Sequence, residues 1–225
     1  MIAFDAVSSL GFVGAASATD TFSHTVGAGA NNLLIVAVVQ NVADFPSVSV
    51  SGVTWNGTPM VHASELDLIN DNQGENVLIF YLFGAATGSH SVVVTLTGAA
   101  SNWQARAISY TGVLGFPDGF TIAKVNPASS ISCAVTTIND SDLVVGFVRN
   151  YDNIGSAGSG TTARNLGTSI SSSFCEANAL TSPSGTTTLH WNTGGSGVSN
   201  ITGFALSPFA IVPPYSRAHG FLPFL

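Results

Sequence analysis

The sequence predicts an all-β fold, an antiparallel β-sandwich with an extended C-terminal arm. Several short segments alternate polar and apolar residues, which is typical of strands with one face in water. Other segments are apolar at every position, as strands covered on both faces are. No segment sustains the apolar spacing of an amphipathic helix, so strands are expected to form the core.

The alternating segments are residues 47–51, 91–97 and 131–136. In the second of them Val92 and Val94 share one side, because successive side chains of a strand point to opposite faces. Each of these segments is therefore predicted to be a strand with one buried face.

The fully apolar segments are residues 33–39, 77–83 and 143–148. Runs of this length and composition predict central strands that are covered on each side. They are the predicted centre of the fold.

Turn residues punctuate these strands. The dipeptide Asn56-Gly57 predicts a two-residue hairpin turn, because both residues tolerate the positive φ angles that this turn requires. The chain is expected to leave the hairpin through residues 60–62. Residues 70–74 predict a second turn, and the Gly- and Ser-rich composition of residues 155–165 predicts a flexible loop.

The predicted domain organisation is one β-sandwich domain over residues 1–210, followed by an extended arm over residues 211–225. The arm combines prolines with aromatic residues, and proline is not accommodated in a central strand. Fully extended, fifteen residues span about 50 Å, enough to reach a neighbouring subunit.

The chain also resembles itself. Residues 34–41 are similar to residues 143–150, and further similarities follow in the same order along the chain. Two interpretations stay open: two related halves, about 20–114 and 131–209, or the general likeness of any two β segments built from few residue types.

Charge excludes several classes of partner. Charged residues make up 8% of the chain, and the net charge is −7 with one lysine and four arginines among the five basic residues. Binding a nucleic acid backbone or an anionic membrane surface requires clustered basic residues, so neither is expected. The longest aliphatic run, residues 33–39, is too short to cross a bilayer as a helix.

Two further features bear on the compartment. Residues 1–5 lack the basic start of a secretory signal, so the chain is expected to stay in the cytoplasm of its host cell until assembly or lysis. Cys133 and Cys175 are the only cysteines. They are interpreted either as two buried free thiols or as one bridge.

The sequence contains no familiar catalytic motif and no histidines at metal-ligand spacing, so neither an enzyme nor a cofactor is expected. Two alternatives to this prediction stay open. A pair of acidic residues could serve a glycosidase. A calcium site could be built from oxygen ligands, although their spacing does not match an EF-hand loop; these ligands would be Asp67, Asn70, Asp71 and Glu75.

Together, the strand 32–38, the hairpin 53–60, and the segments 109–113, 142–145 and 203–206 resemble β-sandwich modules of tailed-phage virion proteins and bacterial surface proteins. The resemblance implies a jelly-roll-like sandwich that serves as a decoration, fibre or adhesion module. A free-standing module with an apolar arm favours the virion over the cell surface.

The resulting expectation is a non-enzymatic virion protein that decorates or cements a capsid, or forms part of a head or tail fibre. It would form a homo-oligomer, expected to be a trimer, and contact other virion proteins such as the major capsid protein. The expected interface residues lie in the arm: Pro213, Pro214, Tyr215, Phe221, Leu222, Phe224 and Leu225.

The alternative expectation is a carbohydrate-binding adhesion module that recognises surface glycans of the host through aromatic residues in loops. An aromatic ring beside amides and an acid supplies an apolar platform together with hydrogen-bonding groups. The candidate glycan contacts are Trp103, Arg149, Tyr151 and Asp152.

Overall fold

The computed structural model describes residues 1–41, 48–68, 75–125, 128–150, 155–164, 172–193 and 198–209. Within these residues the protein is all-β, as predicted, with a single turn of 3-10 helix, η1 (Ser64–Leu66), and no helix long enough to span a membrane. The first strands are β1 (Ala3–Val13), β2 (Ser17–Val26), β3 (Leu33–Asn41), β4 (Val50–Trp55), β5 (Thr58–Pro59), β6 (Val61–His62), β7 (Glu75–Phe83), β8 (Gly88–Ala100) and β9 (Trp103–Thr111). The remaining strands are β10 (Phe120–Val125), β11 (Ser130–Thr136), β12 (Leu143–Asn150), β13 (Ser156–Ala157), β14 (Thr161–Arg164), β15 (Ser172–Ala177), β16 (Thr186–Asn192) and β17 (Ser199–Leu206).

The strands form two antiparallel β-sandwiches. The first sandwich contains a sheet ordered β1-β9-β3-β7-β6 and a sheet ordered β2-β8-β4-β5. The second contains a sheet ordered β10-β17-β12-β15-β14 and a sheet ordered β11-β16-β13. Every pairing within these sheets is antiparallel.

The two sandwiches share one strand order. If β5 and β6 are counted as one bent strand, each half has eight strands, and β1 to β9 correspond in order to β10 to β17. The internal similarity of residues 34–41 and 143–150 falls on β3 and β12, which occupy the same place in the two halves.

The four sheets stack into layers, with the two five-stranded sheets facing each other in the middle. Along β3, Leu34 packs in the core of the first sandwich, whereas Ile35 packs in a central core between the sandwiches. Along β12, Val145 points into the central core and Val144 into the core of the second sandwich. The prediction that β3 and β12 are covered on both faces is confirmed, because these side chains are fully buried.

The central core also fixes the relative direction of two strands. Arg106 and Tyr110 of β9 contact Ser172 and Glu176 of β15, respectively. Both pairs are separated by four residues, so β9 and β15 run in the same direction across the interface. The central core contains Leu33, Ile35, Ile79, Ile108, Phe147, Phe174 and Phe204, among others.

The predicted hairpin turn is confirmed, since Asn56 and Gly57 both have positive φ, 47° and 76°. Beyond the turn the chain changes sheets. β5 pairs with β4 in the outer sheet, whereas β6 pairs with β7 in the five-stranded sheet, and Met60 joins the two.

The prediction of a flexible loop over residues 155–165 is wrong. Ser156–Ala157 forms β13 against β16, and Thr161–Arg164 forms β14 against β15. Both are short strands at sheet edges, where only one neighbour is needed and small residues are tolerated. The strand predicted over residues 47–51 begins later, at Val50, and the turn predicted at residues 70–74 lies outside the described residues.

Two glycines bring the sheets of the second sandwich together. Gly146 of β12 pairs with Gly203 of β17. A Cβ atom on Gly146 would lie 2.7 Å from Leu189 Cδ1, and one on Gly203 would lie 2.9 Å from Cys133 Sγ. The missing side chains therefore leave room for the inner residues of the facing sheet.

We expect Gly146→Ala to destabilise the protein by about 1–3 kcal/mol, because the added methyl group overpacks a closed core. Urea unfolding followed by tryptophan fluorescence measures this change. Gly52→Ala is the matched control, because no atom lies within 4 Å of a Cβ atom placed there. Equal stabilities for the two variants would contradict this account of the glycine contacts.

Candidate functional site

Trp103 does not lie in a loop. The chain turns at Ser101 and Asn102, where Asn102 adopts a φ of 58°, and Trp103 is already the first residue of β9. Its side chain is fully buried in the first core. The prediction of Trp103 as a glycan contact is therefore corrected: the tight turn draws this ring into the sandwich. Trp55 and Trp191 are buried, as predicted.

The other predicted glycan contacts are not brought together with Trp103 among the described residues. Arg149 lies near the end of β12, is buried, and pairs in register with Ser172 of β15 and Asn200 of β17. Tyr151 and Asp152 lie outside the described residues.

The predicted arm also lies outside the described residues, which end at Phe209. The interface residues expected there are Pro213, Pro214, Tyr215, Phe221, Leu222, Phe224 and Leu225.

The surface from which the arm departs is apolar. Leu114, Ile138 and Phe209 are 46%, 70% and 54% exposed, and together we call them the Ser207 patch. Ser207 joins them: its carbonyl accepts from the Leu114 N–H, and its hydroxyl accepts from the Phe209 N–H. The side chain of Asn139, the neighbour of Ile138, donates to the same hydroxyl at 3.3 Å.

A polar group lies inside the central core at one end. Arg106 is only 1% exposed, and its Nε donates a 3.1 Å hydrogen bond to the Ser172 hydroxyl. Its Nη1 and Nη2 atoms are buried and hydrogen-bond to none of the described residues. Burial lowers the pKa of Arg106 to about 10, so the guanidinium stays charged at neutral pH.

A second polar contact lies further along the same pair of strands. The Tyr110 hydroxyl donates to Glu176 at 2.8 Å, and Arg164 forms an ion pair with the same carboxylate. Burial and the neighbouring Glu176 raise the pKa of Tyr110 well above its usual range. The Arg164 guanidinium also lies over the Phe4 ring, 3.9 Å from its centroid, which ties the edges of the two sandwiches together.

Four side chains joined by hydrogen bonds connect β1 to β2 in the first sandwich. Asp5 Oδ2 accepts from the Ser109 hydroxyl at 2.6 Å and from the Gly27 N–H at 2.8 Å. His24 Nε2 then donates to Ser109 Oγ at 3.0 Å, and the Ser8 hydroxyl donates to His24 Nδ1 at 2.7 Å. The carboxylate fixes these directions, because it can only accept.

The imidazole of His24 is neutral. Burial lowers the pKa of His24 to about 4, and attraction to Asp5 opposes this only in part. The arrangement orients a Ser8 hydroxyl toward an uncharged base. Sequence reasoning missed it because these side chains come from three strands, with Asp5 and Ser109 more than a hundred residues apart in the chain.

Two buried carboxyl groups meet where the second sandwich joins the linker 112–119. Asn139 donates to Asp118 through its side chain and to Asp142 through its N–H. Burial and the adjacent Asp118 together raise the pKa of Asp142 to about 7, although hydrogen bonds from Ser207 and Asn139 act to lower it. Asp142 is therefore expected to bind a proton below neutral pH.

Of the four candidate calcium ligands, the structure describes the side chain of Asp67 alone. Asp67 accepts from His62 Nε2 and from the Ile79 N–H, whereas Asn70, Asp71 and the side chain of Glu75 lie outside the described residues. In the part of the chain that the structure describes, no three His, Cys, Asp or Glu side chains converge on a point.

Cys133 and Cys175 are free thiols and both are buried, in agreement with the first of the two interpretations. Burial raises the pKa of the Cys133 thiol to about 11 and that of Cys175 still higher. They act as small apolar side chains beside Gly203 and Gly146.

An open groove of about 430 Å³ runs along the loop between β15 and β16. Asn178, Leu180, Thr181, Ser182 and Pro183 are among the residues that line it, and none of the described lining residues is charged. The groove can accept an uncharged polar ligand.

No protein-family model matches the sequence, and no curated protein is significantly similar to it. The functional argument therefore depends on the architecture and on the contacts described above.

We expect the stability of the protein to depend on the protonation of His24. Between its ordinary pKa of 6.5 and its folded pKa of about 4, the unfolded chain binds a proton that the folded protein excludes. The contribution of His24 to the free energy of unfolding therefore falls as the pH drops through this range, by roughly 3 kcal/mol in total. The destabilisation of His24→Gln relative to wild type should therefore shrink between pH 7.5 and pH ~4.5, as measured by urea unfolding.

Asp142→Asn provides the opposite case. The folded pKa of Asp142 lies above its ordinary value of 3.8, so ionisation of this group makes the protein less stable as the pH rises toward 7. Relative to wild type, the variant should gain stability on moving to alkaline pH. If both variants show the same pH dependence, the assignment of these two groups is incorrect.

Proposed function

We propose that this protein is a non-enzymatic structural protein of a tailed-phage virion, which decorates or cements the capsid or forms part of a head or tail fibre. It assembles as a homo-oligomer, with a trimer as the proposed state, after synthesis in the host cytoplasm. The observation that carries this proposal is the Ser207 patch, an exposed apolar surface at the point where the arm leaves the second sandwich.

The patch and the arm supply complementary surfaces for assembly. Burying a large apolar side chain contributes about 1.5–3 kcal/mol, part of which is offset by ordering and association. Leu114, Phe209 and Asn139, the neighbour of Ile138, all hydrogen-bond to Ser207, so we propose that one apolar segment of a neighbouring subunit covers the three exposed side chains. Copies of this chain are the proposed first partner, and other virion proteins such as the major capsid protein are the second.

The strand order supports the same proposal. We propose that each half is a jelly roll, because eight strands, arranged in the first half as β1-β9-β3-β7 and β2-β8-β4-β5, follow the path of two Greek keys. Jelly rolls form viral capsid domains and lectin domains. Fold alone does not determine activity, so the proposal depends on the patch and the arm.

We expect a chain that ends at Phe209 to remain folded and to lose its oligomeric state, because it lacks the arm residues that cover the patch. Size-exclusion chromatography with light scattering measures the mass, and circular dichroism checks the fold. In the full-length chain, Ile138→Ser with Leu114→Ser should weaken assembly in the same direction.

Phe12→Ser is the matched control, since Phe12 is 64% exposed on β1 and is not part of the patch. It should leave the oligomeric mass unchanged. A wild-type chain that is monomeric at high concentration would overturn the proposal.

The groove beside residues 177–188 favours a second candidate function, recognition of uncharged surface glycans. Its volume lies within the range of small-ligand sites, and its hydroxyl and amide groups can hydrogen-bond to sugar hydroxyls. In this second candidate function the groove, and not the buried Trp103, is the surface that binds the glycan.

Isothermal titration with neutral oligosaccharides tests the second candidate. We expect Ala179→Trp to abolish binding, because Ala179 is an exposed residue that lines the groove and the indole would fill it. Ser184→Trp is the control, since Ser184 is exposed on the same loop and does not line the groove. Binding that survives Ala179→Trp would remove the groove from consideration.

A further inference from the structure

We infer that the groove beside residues 177–188 binds an extended strand, and that residues 221–225 of the arm of a second copy pair there with β16. This inference rests on the proposed function, because it gives a binding site to the arm through which the copies assemble. The groove is open, with a volume of about 430 Å³, and Thr186, Thr187 and Thr188 of β16 are among the residues that line it.

The backbone of β16 directs hydrogen-bonding groups away from its partner β11. The N–H of His190 donates to Thr161 Oγ1 at 2.9 Å, and its carbonyl accepts from the Gly158 N–H at 2.8 Å. In an antiparallel ladder, the N–H and C=O groups of alternate residues point to the same side. Thr188 and Thr186 therefore direct theirs to that side too, where the described residues supply no backbone partner.

The first sandwich shows how the corresponding edge is covered. There β4 pairs with β8 at five positions, and the turn that follows adds a bond from the Asn56 N–H to the Ser91 carbonyl. In the second sandwich β13 pairs with β16 at two positions only. Residues 186–189 carry no charge and no proline, the features that usually protect an edge from pairing with another strand. The groove is thus a place where one strand can be added.

The composition of the arm suits this edge. Residues 220–225 contain no charged side chain, and none of the described residues that line the groove is charged. Leu222 and Phe224 are two residues apart, as Thr186 and Thr188 are, so their backbone groups match in spacing. Pro223 has no N–H to donate, and in this arrangement its nitrogen faces away from β16, where proline is tolerated.

The groove is also linked to the Ser207 patch. The N–H of Thr137 donates to the Gly185 carbonyl at 2.9 Å, and its hydroxyl donates to Thr181 Oγ1 at 3.3 Å. Gly185 and Thr181 line the groove, whereas Ile138, which follows Thr137, belongs to the patch. One arm can therefore cover the patch and then enter the groove.

The test is amide hydrogen exchange of the full-length protein, read by mass spectrometry on a peptide that covers residues 185–190. Light scattering on the same samples gives the oligomeric mass. In the assembled protein, the amides of Thr186 and Thr188 should exchange at least tenfold more slowly than after dilution to the monomer. A peptide that covers residues 130–136 is the internal control, because β11 does not take part in the site.

Each alternative outcome overturns the inference in a different way. Slow exchange that persists in the monomer would assign the groove to the arm of the same chain. Fast exchange in an assembled protein would leave the proposed assembly intact and, if a neutral oligosaccharide binds, would assign the groove to a glycan. A protein that is monomeric at every concentration would overturn both the inference and the proposed function.

Two pairs of variants complete the experiment. Ala179→Trp fills the groove and should remove the slow exchange, whereas Ser184→Trp, on the same loop, should keep it. In the arm, Leu222→Pro removes an N–H directed at β16 and should weaken assembly at least tenfold. Phe221→Pro removes an N–H that faces away and should have a smaller effect. Slow exchange that survives both Ala179→Trp and Leu222→Pro would overturn the inference.

Discussion

The packing of two five-stranded sheets against each other is the constraint on which the rest of the structure depends. Strands β3 and β12 are apolar on both faces, so each needs an outer sheet on one side and the other sandwich on the opposite side. Leu34 and Ile35, adjacent in the chain, enter different cores for this reason. A single sandwich would leave one of these faces in water, at a loss of about 25 cal/mol for every square ångström of apolar surface exposed.

The same constraint explains why polar contacts inside the central core matter. Apolar packing between two sheets determines the distance between them. It determines less well how far one sheet is shifted along the other. The bond from Tyr110 to Glu176 and the bond from Arg106 to Ser172 join β9 to β15 at two points four residues apart. Two fixed points determine register and direction, which is the best-attested use of buried polar groups.

The sequence predicted the elements whose signal is local. The two-sided apolar runs of β3 and β12, the alternation in β11 and the positive φ of Asn56 and Gly57 all follow from neighbouring residues. The packing of the two sandwiches against each other could not be predicted in this way. A strand with two apolar faces does not indicate which element covers each face. Strand β1, which lies ahead of the expected first half, and strand β2, which lies at its start, were not anticipated either.

Site residues were harder to predict, for two physical reasons. Trp103 follows a two-residue turn, and a shift of one or two residues in a strand boundary decides whether a ring is exposed or buried. The hydrogen bonds through His24, and the bond from Arg106 to Ser172, depend on residues distant in sequence. No local pattern encodes such contacts, so only the tertiary structure brings them into view.

The correspondence of the two halves gives the arm a physical interpretation. After β9, the linker 112–119 leaves the first sandwich and attaches it to the second, with Val113 and Phe116 buried in the central core. Phe116 contacts both Tyr81 of the first sandwich and Phe204 of the second. In the second sandwich, Ser207 follows β17 at the corresponding point and forms a β-bridge with Gly115 of the linker. The exposed Phe209 comes two residues later, and this correspondence is the structural basis of the proposed attachment to another subunit.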